Sequence, residues 1–371
     1  MDAKIELGRI WGIPIRLHPS WFLVFGLSTW SLAMGFFPEG YSGLPTAAYW
    51  LLGALTSILF FGSVLVHELA HAFFALRNEI PVRGITLFIF GGVAQIEKEP
   101  CSPGAECRIA IAGPLASLGL AGLFGGLWLL CRHVSYLAAP NIWLARINLT
   151  LAVFNMIPGF PLDGGRILRS LVWHFTGSFY RATQVAASTG QLVALGFVSL
   201  GVFTIFTGSL FNGLWLAFIG WFLQNAAVSS QTWSSVQQSL RGVVVGQVMG
   251  RDYPTVSSLL PVSQLIEERI LTGAQRCFLV TDKGHLRGLL TLRDIAAIPQ
   301  RKRRYVTVRE VMVPFERLAR VQPHTELLAA LRTMDDANVA QVPVVEGDEI
   351  VGILSREQVI HYIRLRAELG V

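Results

Sequence analysis

Residues 64–74 read V-L-V-H-E-L-A-H-A-F-F. Two histidines and a glutamate stand inside a run that is otherwise apolar from 47 to 76. About 20 apolar residues suffice to cross a bilayer. His67, Glu68 and His71 spell H-E-x-x-H. On a helix, positions four apart share a face. Both imidazoles can then reach one tetrahedral zinc, with Glu68 beside it to take a proton from water. The alternatives are a chance match or two core histidines. The setting favours the metal: a charged side chain at mid-membrane costs about 2.5–3.5 kcal/mol on insertion scales, so three such groups together call for a compensating cation.

The 371-residue chain is 52% hydrophobic and 15% charged, where soluble globular proteins carry about a quarter charged residues. The excess apolar content is confined to the first 227 residues, and ordinary soluble composition follows. Six runs, 21–37, 47–76, 109–131, 142–157, 191–206 and 210–227, are candidate spans. The expected organisation is a six-span α-helical membrane domain over 1–227, a linker over 228–242, and a soluble α/β module over 243–371. The net charge of +6 belongs to loops, and no interleaving of basic and aromatic residues argues for nucleic acid. The four cysteines form no C-x-x-C pair and read as small apolar residues. The first twenty residues show no cleavable signal peptide.

Lys and Arg set the orientation. Lys4, Arg9 and Arg16 precede the first span; Arg77, Arg83, Lys98 and Arg108 lie between the second and third; Arg166, Arg169 and Arg181 lie between the fourth and fifth. The alternate loops are nearly free of them. The positive-inside rule places the amino terminus in the cytoplasm, and six spans return the carboxyl module to the same side.

Catalytic zinc needs a third protein ligand and an open fourth position. Residues 155–165 read N-M-I-P-G-F-P-L-D-G-G, and Asp163 is the only acidic residue between Glu106 and Asp252. Pro158 and Pro161 break the fourth span, and Gly164 and Gly165 are expected to let the backbone turn back. Irregular backbone at membrane depth is tolerated only against protein or water, which suits an inward-pointing ligand. The alternative is a capping aspartate at the start of a helix, paired with Arg166.

Together, His67-Glu68-x-x-His71 in a span and Asn155-x-x-Pro158-x-x-Pro161-Leu162-Asp163-Gly164-Gly165 resemble the site-2 protease family of intramembrane zinc metalloproteases. Phe90-Gly91-Gly92-Val93-Ala94, Ala112-Gly113-Pro114 and Gly12-Ile13-Pro14-Ile15-Arg16 are similar to further family stretches. The resemblance covers about 1–227 and implies one zinc per chain on His67, His71 and Asp163, with Glu68 activating water. It also implies that Asn155 engages the substrate backbone, and that Gly91, Gly92 and the strand after them pair with an unwound substrate. A plain hairpin turn is the other reading of the two glycines.

The carboxyl part repeats at an offset of about 64 residues. Gly246-Gln247-Val248-Met249 answers to Arg309-Glu310-Val311-Met312. Cys277-Phe278-Leu279-Val280 answers to Val342-Pro343-Val344-Val345, and Leu286-x-Gly288-Leu289-Leu290-Thr291 to Ile350-x-Gly352-Ile353-Leu354-Ser355. Each copy reads as a helix, two strands around a turn, and a helix. This resembles a tandem pair of CBS domains, 243–300 and 301–371. Such pairs often bind adenine nucleotides through an S/T-x-x-D that holds the ribose. The first copy has Thr291 and Asp294; the second has Gln358 in place of the aspartate. The pair also implies a homodimer. Arg301-Lys302-Arg303-Arg304 reads as a solvated linker or as a contact with anionic lipid.

The leading expectation is a multi-pass cell-membrane zinc endopeptidase that cleaves transmembrane protein substrates near the cytoplasmic face, modulated by the CBS pair. A non-catalytic sensor that keeps the metal site is the alternative, and the intact Glu68 speaks against it. No inverted repeat of interrupted spans supports a transporter. Ser63 and Ser117 lie in spans outside any G-x-S-x-G motif and read as helix-packing residues rather than nucleophiles.

Overall fold

Apolar runs of this length satisfy their backbone polar groups in lipid by forming α-helices. The computed structural model describes residues 5–41, 43–89, 91–96, 99–271, 277–282, 285–347 and 349–369. Lys4, Phe90 and Lys98, used above, lie outside them. The chain forms two compact units, Met1–Ser234 and Ser235–Val371.

The first unit opens with strands β1 (Ile5–Ile10) and β2 (Ile13–Leu17). Helix α1 (Ser20–Ser31) passes through one π turn, Leu32–Phe36, into the short α2 (Phe37–Gly40). Helix α3 (Thr46–Arg77) follows, then strands β3 (Val82–Phe88) and β4 (Gly91–Ile96). Helices α4 (Pro103–Cys131), α5 (Ser135–Asn155), α6 (Asp163–Thr176) and α7 (Phe179–Phe206) follow, and α8 (Leu210–Leu240) ends the first unit and runs on into the second. The four strands form one sheet in the order β1-β2-β3-β4, with β2 and β3 parallel and the other pairs antiparallel. Sequence reading marked only its fragments, because short strands between long helices carry little pattern.

Five segments among the described residues are long and apolar enough to cross a membrane: Ser20–Gly40, Thr46–Arg77, Pro103–Cys131, Ser135–Asn155 and Phe179–Phe206. The expected sixth span, 210–227, falls in α8 and is not one of them. Asn212, Gln224 and Asn225 dilute its apolar run. Helix α8 also continues through 228–240, where a linker was expected. Glu106 and Arg108, read as loop residues, lie in the first turns of α4. The loop expected between the fourth and fifth spans contains a helix of its own, α6.

Gly164 and Gly165 correct another expectation. They do not turn the chain; they lie in the first turn of α6. A Cβ on Gly164 would overlap the Met156 and Ile157 backbone, and one on Gly165 the Gly159 and Phe160 backbone. Their value is close approach, which presses α6 onto the loop that precedes it.

The second unit contains strands β5 (Thr255–Ser257), β6 (Cys277–Asp282), β7 (His285–Thr291) and β8 (Val313–Pro314) in one sheet, and β9 (Gln341–Glu346) paired with β10 (Glu349–Ser355). Its helices are α9 (Val262–Leu265), α10 (Leu292–Ala296), α11 (Val308–Val311), α12 (Leu327–Asp336) and α13 (Arg356–Leu369). The repeat is visible in the ladders: Val280 pairs with Gly288 as Val344 pairs with Gly352. Position 280 therefore answers to 344, one residue away from the alignment read off the sequence.

The opening segments are exchanged. Val245 and Val248 pack in the core of the second copy with Leu327, Val342 and Val344. Val308 packs in the core of the first with Val256, Phe278 and Leu290. The backbone follows suit: Leu289 pairs with Val313, and Ile353 bridges Gly250. Gly288 leaves room for Met312 and Gly352 for Met249, which explains why both copies keep V-M and a glycine at this spacing. Cys277 is buried, and burial pushes its thiol up to about 12, with the Asp294 charge adding to the effect.

Candidate metal centre

The C-terminal half of α3 carries His67 and His71 one turn apart on its buried face. Two groups of α4 hold the rings from behind. His71 Nδ1 lies 2.7 Å from the Ile109 carbonyl oxygen. A carbonyl only accepts, so Nδ1 carries the proton and Nε2 presents its lone pair. His67 Nδ1 lies 2.9 Å from Ser117 Oγ, a hydroxyl able to accept the proton of the same tautomer. Asp163, the first residue of α6, sends Oδ2 to within 3.2 Å of both Nε2 atoms, which are themselves 3.1 Å apart.

With the Nδ1–H tautomer on both rings, three electron-pair donors converge on one point, an arrangement that a cation completes. A tetrahedral zinc with bonds of 2.0–2.1 Å sets its ligand atoms about 3.3 Å apart, close to the edges seen here. His67, His71 and Asp163 therefore fit zinc. Asp163 makes no side-chain capping bond, and Leu162 is the N-cap of α6, so the capping alternative loses its basis.

Glu68 Oε2 accepts a hydrogen bond of 3.2 Å from the Ala94 N–H of β4. Its carboxylate interacts electrostatically with His71, His67 and Asp163. The missing side chain of Gly92 makes this approach possible, since a Cβ there would overlap the Glu68 side chain. Gly91 has φ 122, a conformation that favours glycine. Both glycines are the first residues of β4 and not the turn itself.

The structure brings His67, Glu68, His71 and Asp163 together. Asn155 is half-buried at the last position of α5, where the chain enters the loop to Asp163. Thr291 and Asp294 lie in the second unit and bond to each other: the Thr291 N–H and hydroxyl donate to Asp294 Oδ2 at 2.9 and 2.6 Å, forming a capping box on α10. Ser355 and Gln358 do the same on α13, the Ser355 N–H donating to Gln358 Oε1 at 2.8 Å. The departure at Gln358 keeps the cap.

Sequence reading missed Ile109, Gly113 and Ser117. With Glu106 they form one stripe of α4 at spacings of three, four and four. A Cβ on Gly113 would overlap Nε2 of both histidines. The available signal was that spacing around Ala112-Gly113-Pro114. Ser117, expected as a packing residue, sets its hydroxyl against His67.

The sequence profile of peptidase family M50 matches residues 55–139 and 132–198, and the CBS domain profile matches 245–300 and 308–365. Rip3 of Mycobacterium tuberculosis is 36% identical over 368 residues, covering 98% of this chain and 93% of that protein. The protein sll0528 of Synechocystis is 33% identical over 379 residues, covering 99% and 97%. Both carry zinc metalloprotease in their names. The solved site-2 protease from Methanocaldococcus jannaschii is 28% identical, covers 62% of this chain and 95% of that one, and superposes with a TM-score of 0.43.

The chain belongs to the M50, or site-2 protease, family of membrane zinc metalloproteases, with a tandem CBS pair at its carboxyl end.

Proposed function

We propose that the protein hydrolyses peptide bonds within membrane-spanning protein substrates at the His67–His71–Asp163 centre. The observation that carries this reading is the convergence of His67 Nε2, His71 Nε2 and Asp163 Oδ2, with the Glu68 carboxylate acting electrostatically on all three residues. The three residues would hold one zinc, which when bound polarises the scissile carbonyl and makes water a nucleophile near neutral pH. Glu68 takes the proton of the attacking water and passes it to the leaving amine. The Ala94 N–H holds Glu68 from one side, so the carboxylate stays in place between the two transfers.

Edge strand β4 runs beside Glu68 and supports binding of an unwound substrate by strand addition, with Gly91 and Gly92 at its start and Asn155 bonding the substrate backbone. The Lys and Arg bias supports a cytoplasmic amino terminus and cleavage near that face. Placing the second unit on the same side requires that α8 also cross, which its apolar first half supports. The second unit would tune cleavage by binding an adenine nucleotide at Thr291 and Asp294 or by joining two copies, and the basic run 301–304 would rest on anionic lipid.

The test is Glu68→Gln, purified in detergent and assayed against single-span peptides carrying helix-breaking residues at different depths. Zinc content stays at the wild-type level while cleavage falls at least about 100-fold, in line with loss of a general base. Undiminished turnover would remove Glu68 from the mechanism.

A further inference from the structure

One stripe of α4 serves two of the three ligands directly: Ser117 faces His67 and the Ile109 carbonyl faces His71. The same stripe continues one turn toward the helix start to Glu106, which is 0% exposed. Its partner is Arg169 of α6, the helix that begins with Asp163. Arg169 Nε donates to Glu106 Oε1 at 2.6 Å, and Nη2 closes on the same oxygen. The guanidinium lies over Phe160, 4.9 Å from the ring centroid, and over Phe179 at 4.5 Å. Phe160 belongs to the loop that delivers Asp163, and its N–H donates to the Ala186 carbonyl of α7 at 3.1 Å. Arg169 thus joins α4, the pre-Asp163 loop and the start of α7 at one point.

A stability role explains this poorly. Burying an ion pair costs desolvation that its attraction often only repays, and apolar replacements are often neutral or better. Among the described residues Glu106 Oε2 has no hydrogen-bond partner, so the pair is not fully satisfied either. What the pair does supply is a directional link between the helix behind the histidines and the helix bearing the aspartate. The fork geometry of arginine and its stacking on rings suit that use.

We propose that Glu106 and Arg169 are positioning residues for the metal centre, fixing α6 against α4 so that Asp163 meets the two histidines. This rests on the zinc-site reading above. It extends support behind the metal from His67 and His71 to all three ligands.

The experiment measures zinc affinity by competition with a chelator, beside thermal unfolding of the metal-free forms. The variants are Glu106→Gln, Arg169→Lys and the double Glu106→Gln/Arg169→Gln. The double variant removes both charges of the pair together and keeps the fold, Arg166 of α6, which also feels Glu106, retaining Asp163 and Glu68 as counter-charges. It still binds zinc about 10- to 100-fold more weakly than wild type, the usual effect of losing a supporting partner. Arg169→Lys keeps a cation on Glu106 and recovers part of the affinity that Glu106→Gln loses. Folded variants that hold zinc as tightly as wild type overturn the positioning role. So does affinity that falls only as far as the metal-free fold is destabilised. Wild type that takes up no zinc overturns the metal-site reading itself, a different failure seen before any variant is compared.

Discussion

At the scale of single residues, the candidate site was readable because each of its members is a chemical anomaly. His67, Glu68 and His71 are polar groups in an apolar run, and Asp163 is the lone acid across a long stretch. What holds them was not readable. The Ile109 carbonyl and the Ala94 N–H are backbone groups, which every residue has, so no letter marks them. Gly113 and Ser117 look like ordinary small residues of a packed span. Their role appears only when the helix is set against α3. Gly113 gives the sharpest prediction here. In Gly113→Ala the new methyl would overlap the Nε2 atoms of both histidines, so the rings must swing away from the centre. The expected result is loss of zinc from protein that still elutes as a folded species in detergent, read by metal analysis across the elution peak. Zinc retained at the wild-type level would mean that α4 stands farther from the ligands than this geometry has it.

At the scale of elements, the sequence located the long helices but cut them short. Glu106 and Arg108 lie just before the apolar run that opens at 109, where charge hides the continuation of the helix. In the fold Glu106 is buried on the Arg169 guanidinium and extends α4 by two turns. Helix α6 was legible only in the alternative that sets Asp163 at the start of a helix, and the helix does begin there. Its glycines were given the wrong physics, turning in place of close packing. Gly164→Ala should therefore damage the site, because a methyl there meets the Met156 and Ile157 carbonyls. Gly126→Ala in α4 meets nothing within 4 Å and should be neutral or slightly stabilising, by up to about 1 kcal/mol of helix propensity. Zinc content and monodispersity in detergent compare the two. Equal behaviour would contradict the close packing of α6 on its loop.

At the scale of the whole molecule, composition separated an apolar part from a soluble part, and the repeat showed that the second is built twice. The exchange of opening segments escaped notice, because sequence order assigns Val245 and Val248 to the copy they precede, whereas packing assigns them to the other. The motif expected to hold a ribose has a structural duty as well: Thr291→Ala removes the α10 cap and should cost the second unit about 0.5–2 kcal/mol, seen as an earlier unfolding transition. Calorimetry with an adenine nucleotide then tests the second duty, and affinity equal to wild type in the folded variant would leave Thr291 a cap alone. The proposed hydrolysis depends on one centre in the first unit. The most direct test is elemental analysis of the detergent-purified protein beside His67→Ala and Asp163→Ala. The account predicts about one zinc per chain in the wild type and a marked loss in both variants. Wild type without zinc after zinc is supplied, or Asp163→Ala with its zinc intact, would contradict it.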